Sequence, residues 1–369
     1  MKIEVYSPTI RRKEMDAVLT AMVEDRIGPG EQARVLTQIA KEKLRFDYCL
    51  TLRSPAIALH LALKALNLAD GQGVLISALS PRYYAQVIEE LRLKPVYGDV
   101  LPGMAVMGRD SVDAALKALA EKEGSPELRA IVIHHTLGFL PDLAPLLELG
   151  IPVIEDCSQS YGTPLPGSSD AAPEEGAAQT APVQEVPPPA DTPSGVFIIL
   201  GLEERDMLTS GGGALLYAMN RRDASVLRSF ADLPPEYCLP DMNAALAVVQ
   251  FREAAKNLEK RKEAAKAYVQ SSLRTRHKRF IQRDDRDYNN YAFPLILETG
   301  VKDVMAYAKK KDIAVESAFE DTLMGRGLVP QETCPESYSL SLRTVLFPLY
   351  PRLSSADALK VSKLILTLP

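Results

Sequence analysis

The alternation of strand-like and helix-like segments from residue 30 onward constrains the fold most strongly. Short apolar runs alternate with amphipathic stretches of about 10 to 15 residues, the pattern of strand-helix-strand crossover units. Such crossovers join strands that run in the same direction, so we expect a mostly parallel sheet sandwiched by helices. The predicted elements up to residue 155 are helix Glu31–Leu44, strand Tyr48–Leu52, helix Ala56–Leu66, strand Val74–Ala78, helix Tyr83–Leu91, strand Pro95–Val100, helix Ser111–Glu123, strand Ala130–His134, helix Leu143–Leu149 and strand Pro152–Glu155.

A proline-rich segment, residues 163–194, interrupts this alternation. It contains eight prolines, five acidic residues and no basic residue. Such a segment cannot bury enough apolar surface to offset the entropy lost on ordering it. We therefore expect a disordered surface insertion, and both a tolerated loop and a partner-binding segment remain open as its role.

The rest of the chain predicts a second, smaller unit. A long helix follows two further strands and leads into a C-terminal region that again mixes strands and helices. The sequence thus predicts a large α/β domain over residues 1–250 and a smaller C-terminal α/β domain over residues 251–369. The predicted elements are strands Val196–Leu200 and Gly213–Tyr217, helix Pro240–Ser271, strand Tyr291–Leu297 and helices Lys302–Lys311 and Ser355–Leu366.

Charge and cysteine content exclude several classes of protein. The net charge is -5 and basic residues do not form a dominant cluster, so no nucleic-acid partner is expected. His277, within the short basic run RTRHKR, is expected to face solvent. No apolar run approaches the length of about 18 residues that a membrane span needs. The four cysteines lie far apart without a CxxC pair, which favours reduced thiols in the cytoplasm and predicts no metal site.

Several motifs occur in the order found in one enzyme family. They are IGPGE (27–31), SPAIALHLAL (54–63), PVYGDV (95–100), IHHTLG (133–138), VIEDCSQSYG (153–162), LTSGGGALL (208–216) and YCLPDMNAALAVVQF (237–251). Together they resemble the DegT/StrS-type sugar aminotransferases, which belong to the fold type I enzymes dependent on pyridoxal phosphate (PLP) and make amino sugars on nucleotide carriers. The resemblance implies the fold type I PLP-transferase architecture.

Four residues stand where the family binds its cofactor. The resemblance implies that Asp156 pairs with the pyridine nitrogen of PLP and that Gln159 contacts the ring. Ser54 opens the phosphate loop, and His135 stands where the family keeps a histidine beside the pocket. From the residues alone, Asp156 could equally be a helix N-cap or part of a structural pair.

The lysine that forms the imine with PLP is missing. Its position is taken by Arg205, counted back from Ser210 at the glycine position of the family motif. An arginine stays protonated and cannot supply the free amine that an imine requires. A shift of the alignment does not change this, because no lysine occurs between Lys122 and Lys256.

The family's other cofactor contacts are also replaced. Proline offers no N–H and alanine no hydroxyl to a phosphate, and a carboxylate repels it. Losing three charge-assisted hydrogen bonds removes about 5 to 9 kcal/mol of cofactor affinity. The replacements are Pro55 and Ala56 at the phosphate-binding Gly-Thr pair, Pro81 at the stacking aromatic, Leu200 at a serine, and Glu236 and Cys238 at an asparagine and an arginine.

The sequence therefore predicts a catalytically silent homologue of nucleotide-sugar aminotransferases, a binding or regulatory protein for which no bound cofactor is expected. The alternative is an active enzyme of amino-sugar or polysaccharide biosynthesis that uses non-covalently bound pyridoxamine phosphate. A third possibility is an α/β protein of unrelated function. A nucleotide sugar or another small molecule is the candidate ligand.

The resemblance also implies a homodimer. In the family, a loop from one subunit reaches the cofactor site of the other, so Glu236 is expected to approach the partner's Ser54. The expected interface includes Tyr237, Leu239 and the apolar helical segment Ala244–Phe251.

Overall fold

A computed structural model describes residues 2–163, 195–282 and 288–369 of the chain. Apart from Thr163, the predicted insertion lies outside these described residues, so the expectation of disorder stays a prediction. Among the described residues, no helix is both long and apolar enough to span a membrane.

The helices and strands follow the predicted alternation. Each element predicted between residues 30 and 160 is present, with ends displaced by no more than two residues. The elements are α1 (Arg12–Val23), α2 (Glu31–Leu44), β1 (Tyr48–Leu52), α3 (Pro55–Ala65), β2 (Gly73–Ser77), α4 (Tyr83–Glu90), β3 (Lys94–Gly98), α5 (Arg109–Glu121), β4 (Leu128–His134), α6 (Ala144–Leu147), β5 (Val153–Asp156), β6 (Phe197–Gly201), β7 (Ala214–Ala218), α7 (Arg221–Arg228), α8 (Asp241–Ser272), β8 (Phe293–Ile296), α9 (Val301–Lys309), β9 (Glu316–Ser317), α10 (Pro335–Arg343), β10 (Thr344–Phe347) and α11 (Ser355–Leu366).

The main sheet has seven strands in the order β1-β7-β6-β5-β4-β2-β3. Strand β7 is antiparallel to both of its neighbours, and the remaining strand pairs are parallel. The prediction of a mostly parallel sheet is confirmed. Because β4, β5 and β6 are adjacent and parallel, their carboxyl ends meet at one edge, which is where ligands bind in open sheets of this type.

Helices cover both faces of this sheet, and its central strands are buried throughout. All five residues of β2, of β6 and of β7 are buried. One face packs against α3, α4 and α7, where Leu59, Tyr84 and Leu227 contribute. The opposite face packs against α2 and α8 through Leu36 and Phe251. Burial on both faces explains why these strands read as continuous apolar runs rather than as an alternating pattern.

Helix α8 belongs to two cores. Near its start, Ala244 and Phe251 pack against the main sheet, and near its end Ala265 and Tyr268 pack against the smaller antiparallel sheet, ordered β8-β10-β9. Arg261 lies between these ends, is buried, and donates Nη1 to the carbonyl oxygens of Tyr291 and Leu349, both at 2.8 Å. The division of the chain at residue 250 therefore stays a prediction, since one continuous helix crosses it.

His277 was expected to face solvent, and this prediction is wrong. The residue is buried, and its Nδ1 accepts the N–H of Glu298 at 3.3 Å. The next residue, Lys278, forms a β-bridge with Ile296, so the segment is extended and its side chains alternate between the interior and solvent. Burial lowers the pKa of His277, and the charge of Arg276 lowers it further.

The aspartate of the PVYGDV motif joins the main sheet to helix α10. One carboxylate oxygen of Asp99 accepts the N–H and the hydroxyl of Ser337 at 2.8 and 2.6 Å, and the other accepts the N–H of Glu336 at 2.8 Å. These N–H groups belong to the first turn of α10, which has no side-chain cap of its own. Asp99 therefore caps, from more than 200 residues away, a helix next to β10.

We expect Asp99→Ala to lower the free energy of unfolding by about 2 kcal/mol, because it removes the cap and leaves buried donors unpaired. Asp99→Asn should cost less, since the amide oxygen can still accept one bond. Urea denaturation followed by circular dichroism measures both. Asp110→Ala is the matched control: Asp110 is exposed in the first turn of α5, and its loss should change stability by less than about 0.5 kcal/mol. Equal effects at the two positions would rule out the capping role.

Candidate functional site

Asp156 is the last residue of β5 and lies at the carboxyl edge of the main sheet, where the resemblance places the cofactor. Its side chain is almost completely buried. Register places it beside His134 of β4 and Ile199 of β6. Because the acid is the last residue of a parallel strand, it reaches the carboxyl edge of the sheet without any long loop.

Both oxygens of Asp156 are already engaged by this chain. Oδ2 accepts the hydroxyl of Tyr84 at 2.6 Å and that of Tyr83 at 3.4 Å. Oδ1 accepts the N–H of Ser158 at 3.0 Å and also its hydroxyl, in a short hydrogen bond. Ser158 Oγ in turn accepts the N–H of Gly201 at 2.7 Å. The carboxylate thus has four donors, which matches the number that its lone pairs accommodate.

The two tyrosines come from the first turn of α4. Tyr84 is fully buried, packs edge-on against Tyr83 with ring centroids 5.0 Å apart, and contacts the ring of His134 at 6.1 Å. Burial, followed by the negative charge of Asp156, raises the pKa of both phenols well above 10. The hydroxyls therefore stay protonated and act as donors to Asp156 over the neutral pH range.

A pyridine ring does not fit this arrangement. The family role of Asp156 requires a carboxylate oxygen that is free to face the protonated ring nitrogen, and in this chain both oxygens accept hydrogen bonds, one of them from the Tyr84 hydroxyl at 2.6 Å. The Tyr84 ring also occupies buried space next to the acid. The residues present therefore favour a closed polar cluster over a cofactor pocket.

Arg205 points toward the smaller sheet. Its Nη1 and Nη2 donate to the two carboxylate oxygens of Glu316, in β9, at 2.6 and 3.2 Å. Its guanidinium lies 5.7 Å from the centre of the Tyr6 ring. The hydrogen bond to Glu316 raises the pKa of Arg205 further, so the side chain remains a cation. Arg205 thus links the segment after β6 to β9 of the smaller sheet.

Asp206, next to Arg205, was not predicted from the sequence. Its Oδ2 accepts the N–H of Glu203 at 2.8 Å. A Cβ built on Gly201 would lie 2.4 Å from Asp206 Oδ2 and 2.6 Å from Ser158 Oγ, so the carboxyl group is enclosed beside Ser158 although the residue is partly exposed. Burial raises the pKa of Asp206 well above its usual value, and Asp156 adds to the effect. The available sequence signal was an acid directly after Arg205, close to the expected site.

The phosphate-loop positions form an ordinary helix start. Ser54 caps α3 by accepting the N–H of Ile57 at 3.3 Å, and Pro55 is the first residue of the helix. Ala56 follows without a hydroxyl. Glu236 is exposed on a loop whose next residue, Tyr237, accepts the N–H of Arg53 at 2.9 Å. Within one chain, the loop carrying Glu236 therefore already lies beside the start of α3.

Four further residues that were predicted to belong to the site do not share one environment. Gln159 Oε1 accepts the N–H of Leu137 at 2.6 Å, and Ser210 donates its hydroxyl to the carbonyl of Gly212 at 2.8 Å. Leu200 is buried in the core that packs on α2 and α8, on the face of the sheet opposite Asp156. Pro81 bridges to Thr322.

The side chain of His135 contacts the side chains of Ser160 and Glu155, not that of Asp156. Its Nδ1 lies 2.7 Å from the hydroxyl of Ser160, and its Nε2 lies 3.6 Å from a carboxylate oxygen of Glu155. Glu155 and Asp156 are consecutive residues of β5, and consecutive strand side chains point to opposite faces. The structure thus brings His135 together with the acid on the other face of the strand.

The expected dimer interface is also largely used within the chain. Leu239, Ala244 and Phe251 are fully buried, and α8 packs under α1 and α2. Tyr237 remains partly exposed. The prediction that Ala244–Phe251 offers an apolar surface to a second subunit is wrong, because α1 and α2 already cover that helix face.

Comparison with known proteins agrees with the fold and the motifs. The sequence matches the DegT/DnrJ/EryC1/StrS aminotransferase family over residues 8–177 and 221–366. Over 127 residues it is 29% identical to L-glutamine:2-deoxy-scyllo-inosose aminotransferase from Streptomyces kanamyceticus, and this alignment covers 33% of the chain and 28% of that relative. The chain thus spans less than a third of the length of that relative.

Two solved structures show the same fold at low identity. The aminotransferase TlmJ from Streptoalloteichus hindustanus superimposes with a TM-score of 0.80 at 19% identity, covering 98% of this chain and 97% of that one. The E. coli GDP-4-keto-6-deoxy-D-mannose-3-dehydratase with bound hydrated PLP gives a TM-score of 0.77 at 13% identity, covering 99% of both chains. The predicted architecture is confirmed, and the family match over most of its length shows that this chain belongs to the DegT/DnrJ/EryC1/StrS aminotransferase family.

Proposed function

We propose that this chain is a catalytically silent member of its family and acts as a binding or regulatory protein. The observation that carries the proposal is the hydrogen-bonded closure of Asp156 by Tyr84 and Ser158. A carboxylate with four internal donors holds the fold together and has no capacity left for a ring nitrogen. The proposal extends to the cofactor, and we expect no tightly bound PLP.

The state of Arg205 supports the same conclusion. Covalent attachment of PLP needs an unprotonated primary amine, and a guanidinium paired with Glu316 supplies none. The sequence between residues 123 and 255 contains no lysine that could move into its place. The ion pair gives Arg205 a structural role that a free catalytic side chain would not have.

The phosphate-loop residues support it independently. At the start of α3, Pro55 has no N–H, and the hydroxyl of Ser54 is used to cap the helix. A phosphate placed there would lose the donors that normally offset its desolvation. An active enzyme with non-covalently held pyridoxamine phosphate needs this phosphate site even more, because it lacks the imine.

For the ligand we propose a nucleotide sugar or a related small molecule, the class on which the family's enzymes act.

For the assembly we propose a homodimer in the cytoplasm. The surface that supports the dimer is one face of α1, where Met15, Leu19, Met22 and Val23 follow helical spacing and are 50 to 83% exposed, with Ile27 just beyond the helix at 59%. An apolar stripe of this size on a surface helix is typical of a protein contact.

We expect the purified protein to be colourless and to form no internal aldimine when PLP is added. Arg205→Lys should not restore tight binding, because Tyr84 still closes Asp156 and the start of α3 still lacks phosphate donors. Borohydride reduction followed by peptide mass spectrometry detects any adduct, and label on surface lysines serves as the background. A reducible adduct at position 205 of the variant, formed at stoichiometric PLP, would show that the pocket is intact.

The assembly is tested separately. We expect a dimer of the 40.4 kDa chain in light scattering at micromolar concentration. Leu19→Asp together with Val23→Asp should give a folded monomer, since two carboxylates in an apolar contact cost several kcal/mol. Leu359→Asp, on the exposed face of α11, is the matched control and should remain dimeric. If the wild-type protein is a monomer, the proposed dimer is wrong. The proposal that the chain is catalytically silent is not affected by that result.

A further inference from the structure

Three potential metal ligands lie close together on the face of β5 opposite Asp156. They are the side chains of His135, Glu155 and Cys157, called here the back-face cluster. Their ligand atoms all lie within 4.8 Å of one another. The side chains of His135 and Glu155 are only 2% and 6% exposed, and Cys157 is a free thiol that is partly exposed. The cluster therefore combines imidazole, carboxylate and thiol groups in one enclosed place.

The hydrogen bond between His135 and Ser160 is compatible with a metal-binding form of the ring. The hydroxyl of Ser160 lies 2.7 Å from Nδ1 of His135 and 3.4 Å from the carbonyl oxygen of Cys157. In the tautomer in which Nδ1 donates to this hydroxyl, the hydroxyl donates in turn to the carbonyl, and Nε2 of the neutral imidazole carries a lone pair.

That lone pair faces a negative group. Nε2 is buried and has no hydrogen-bond partner among the described residues. It lies 3.6 Å from Glu155 Oε2, while Glu155 Oε1 accepts the N–H of Gly195 in a short hydrogen bond. With Nε2 unprotonated, the two buried acceptors repel each other, so this tautomer calls for a cation between them.

We propose that the back-face cluster binds a divalent transition metal of the zinc class. Imidazole nitrogen, carboxylate oxygen and thiolate sulfur are the ligands that Zn²⁺ takes, whereas Ca²⁺ and Mg²⁺ require oxygen ligands. One neutral imidazole, one carboxylate and one thiolate balance the two positive charges, so the occupied site adds no net charge to the interior.

The geometry needs little change to hold the ion. In a tetrahedral zinc site the ligand atoms stand about 3.3 to 3.7 Å apart, given bond lengths of about 2.0 to 2.3 Å. The distance from Nε2 to Oε2 is already 3.6 Å. The widest separation in the cluster is at most 4.8 Å, so side-chain shifts of about 1 Å are enough to close the site around an ion. The fourth position is left to water.

Second-sphere contacts of the right kind are already present. Metal-binding histidines almost always donate their other N–H to a fixed acceptor, and Ser160 fills that role for His135. The unbound oxygen of Glu155 is held by the N–H of Gly195. Backbone hydrogen bonds from His135 to Asp156 and from Cys157 to Ile199 fix the ligand-bearing backbone on neighbouring strands.

The test uses the full-length protein, stripped with a chelator and kept reduced. We expect ZnCl₂ titrated by calorimetry to bind one ion per chain with a Kd of about 1 μM or tighter. CoCl₂ should give the absorption of a cobalt–thiolate bond. Cys157→Ser should abolish this absorption and weaken zinc binding by roughly 100-fold, and Ser160→Ala should weaken it by roughly 10- to 100-fold. Cys238→Ser, which removes a thiol outside the cluster, should change neither result.

A second measurement keeps the proposal testable if Cys157→Ser does not fold. Bound zinc should protect Cys157 of the wild-type protein from alkylation, as read by peptide mass spectrometry, while Cys238 reacts equally with and without metal. Failure of the stripped wild-type protein to bind zinc at 10-fold molar excess, or equal alkylation of Cys157 in both states, overturns the proposal. In that case His135 and Glu155 share a proton and the cluster is structural. Neither result bears on the silence of the Asp156 site.

Discussion

The carboxylate of Asp156 organises the carboxyl edge of the main sheet. Four donors converge on it from α4 and from the turn after β5, and through Ser158 the network continues to the end of β6. Without these donors a buried carboxylate would be strongly destabilising. With them, one acid fixes the relative positions of three neighbouring segments of the chain. Burial and the charge of the same carboxylate raise the pKa values of both phenols. The tyrosine hydroxyls therefore stay protonated at neutral pH and continue to donate to Asp156.

Asp156 lies at the end of β5, in the motif that resembles the family's, and it takes its hydrogen bonds from donors of this chain. In a PLP enzyme the acid makes the cofactor ring an electron sink; in this chain its partners are internal. Tyr84 contributes both the donor and the volume that close the site. Arg205 likewise has a partner within the chain, because it pairs with Glu316. Under the proposed function, these two positions supply interior contacts and an ion pair in place of a reaction site.

Much of the fold was predictable, because it follows from local periodicity. The alternation of elements gave the parallel sheet, although not the reversed direction of β7, which no local pattern encodes. Asp156 could be identified from the sequence because it lies at the end of an apolar strand and within the VIEDCSQSYG motif. Tyr84, Asp206 and the cap on α10 depend on contacts between distant segments, as with Asp99 and Ser337. The back-face cluster was missed for the same reason: its histidine and thiol are 22 positions apart, outside any metal-ligand spacing, and only sheet register brings them together.

Helix α8 has a consequence for how the molecule unfolds. At 32 residues it extends about 48 Å, and it contributes side chains to the cores of both sheets. Breaking it near Asn257 would expose apolar surface in both cores and separate the buried Arg261 from its carbonyl partners. Partial loss of one sheet would therefore remove packing from the other. We expect the two sheets, although distinct in hydrogen bonding, to unfold together as one cooperative unit.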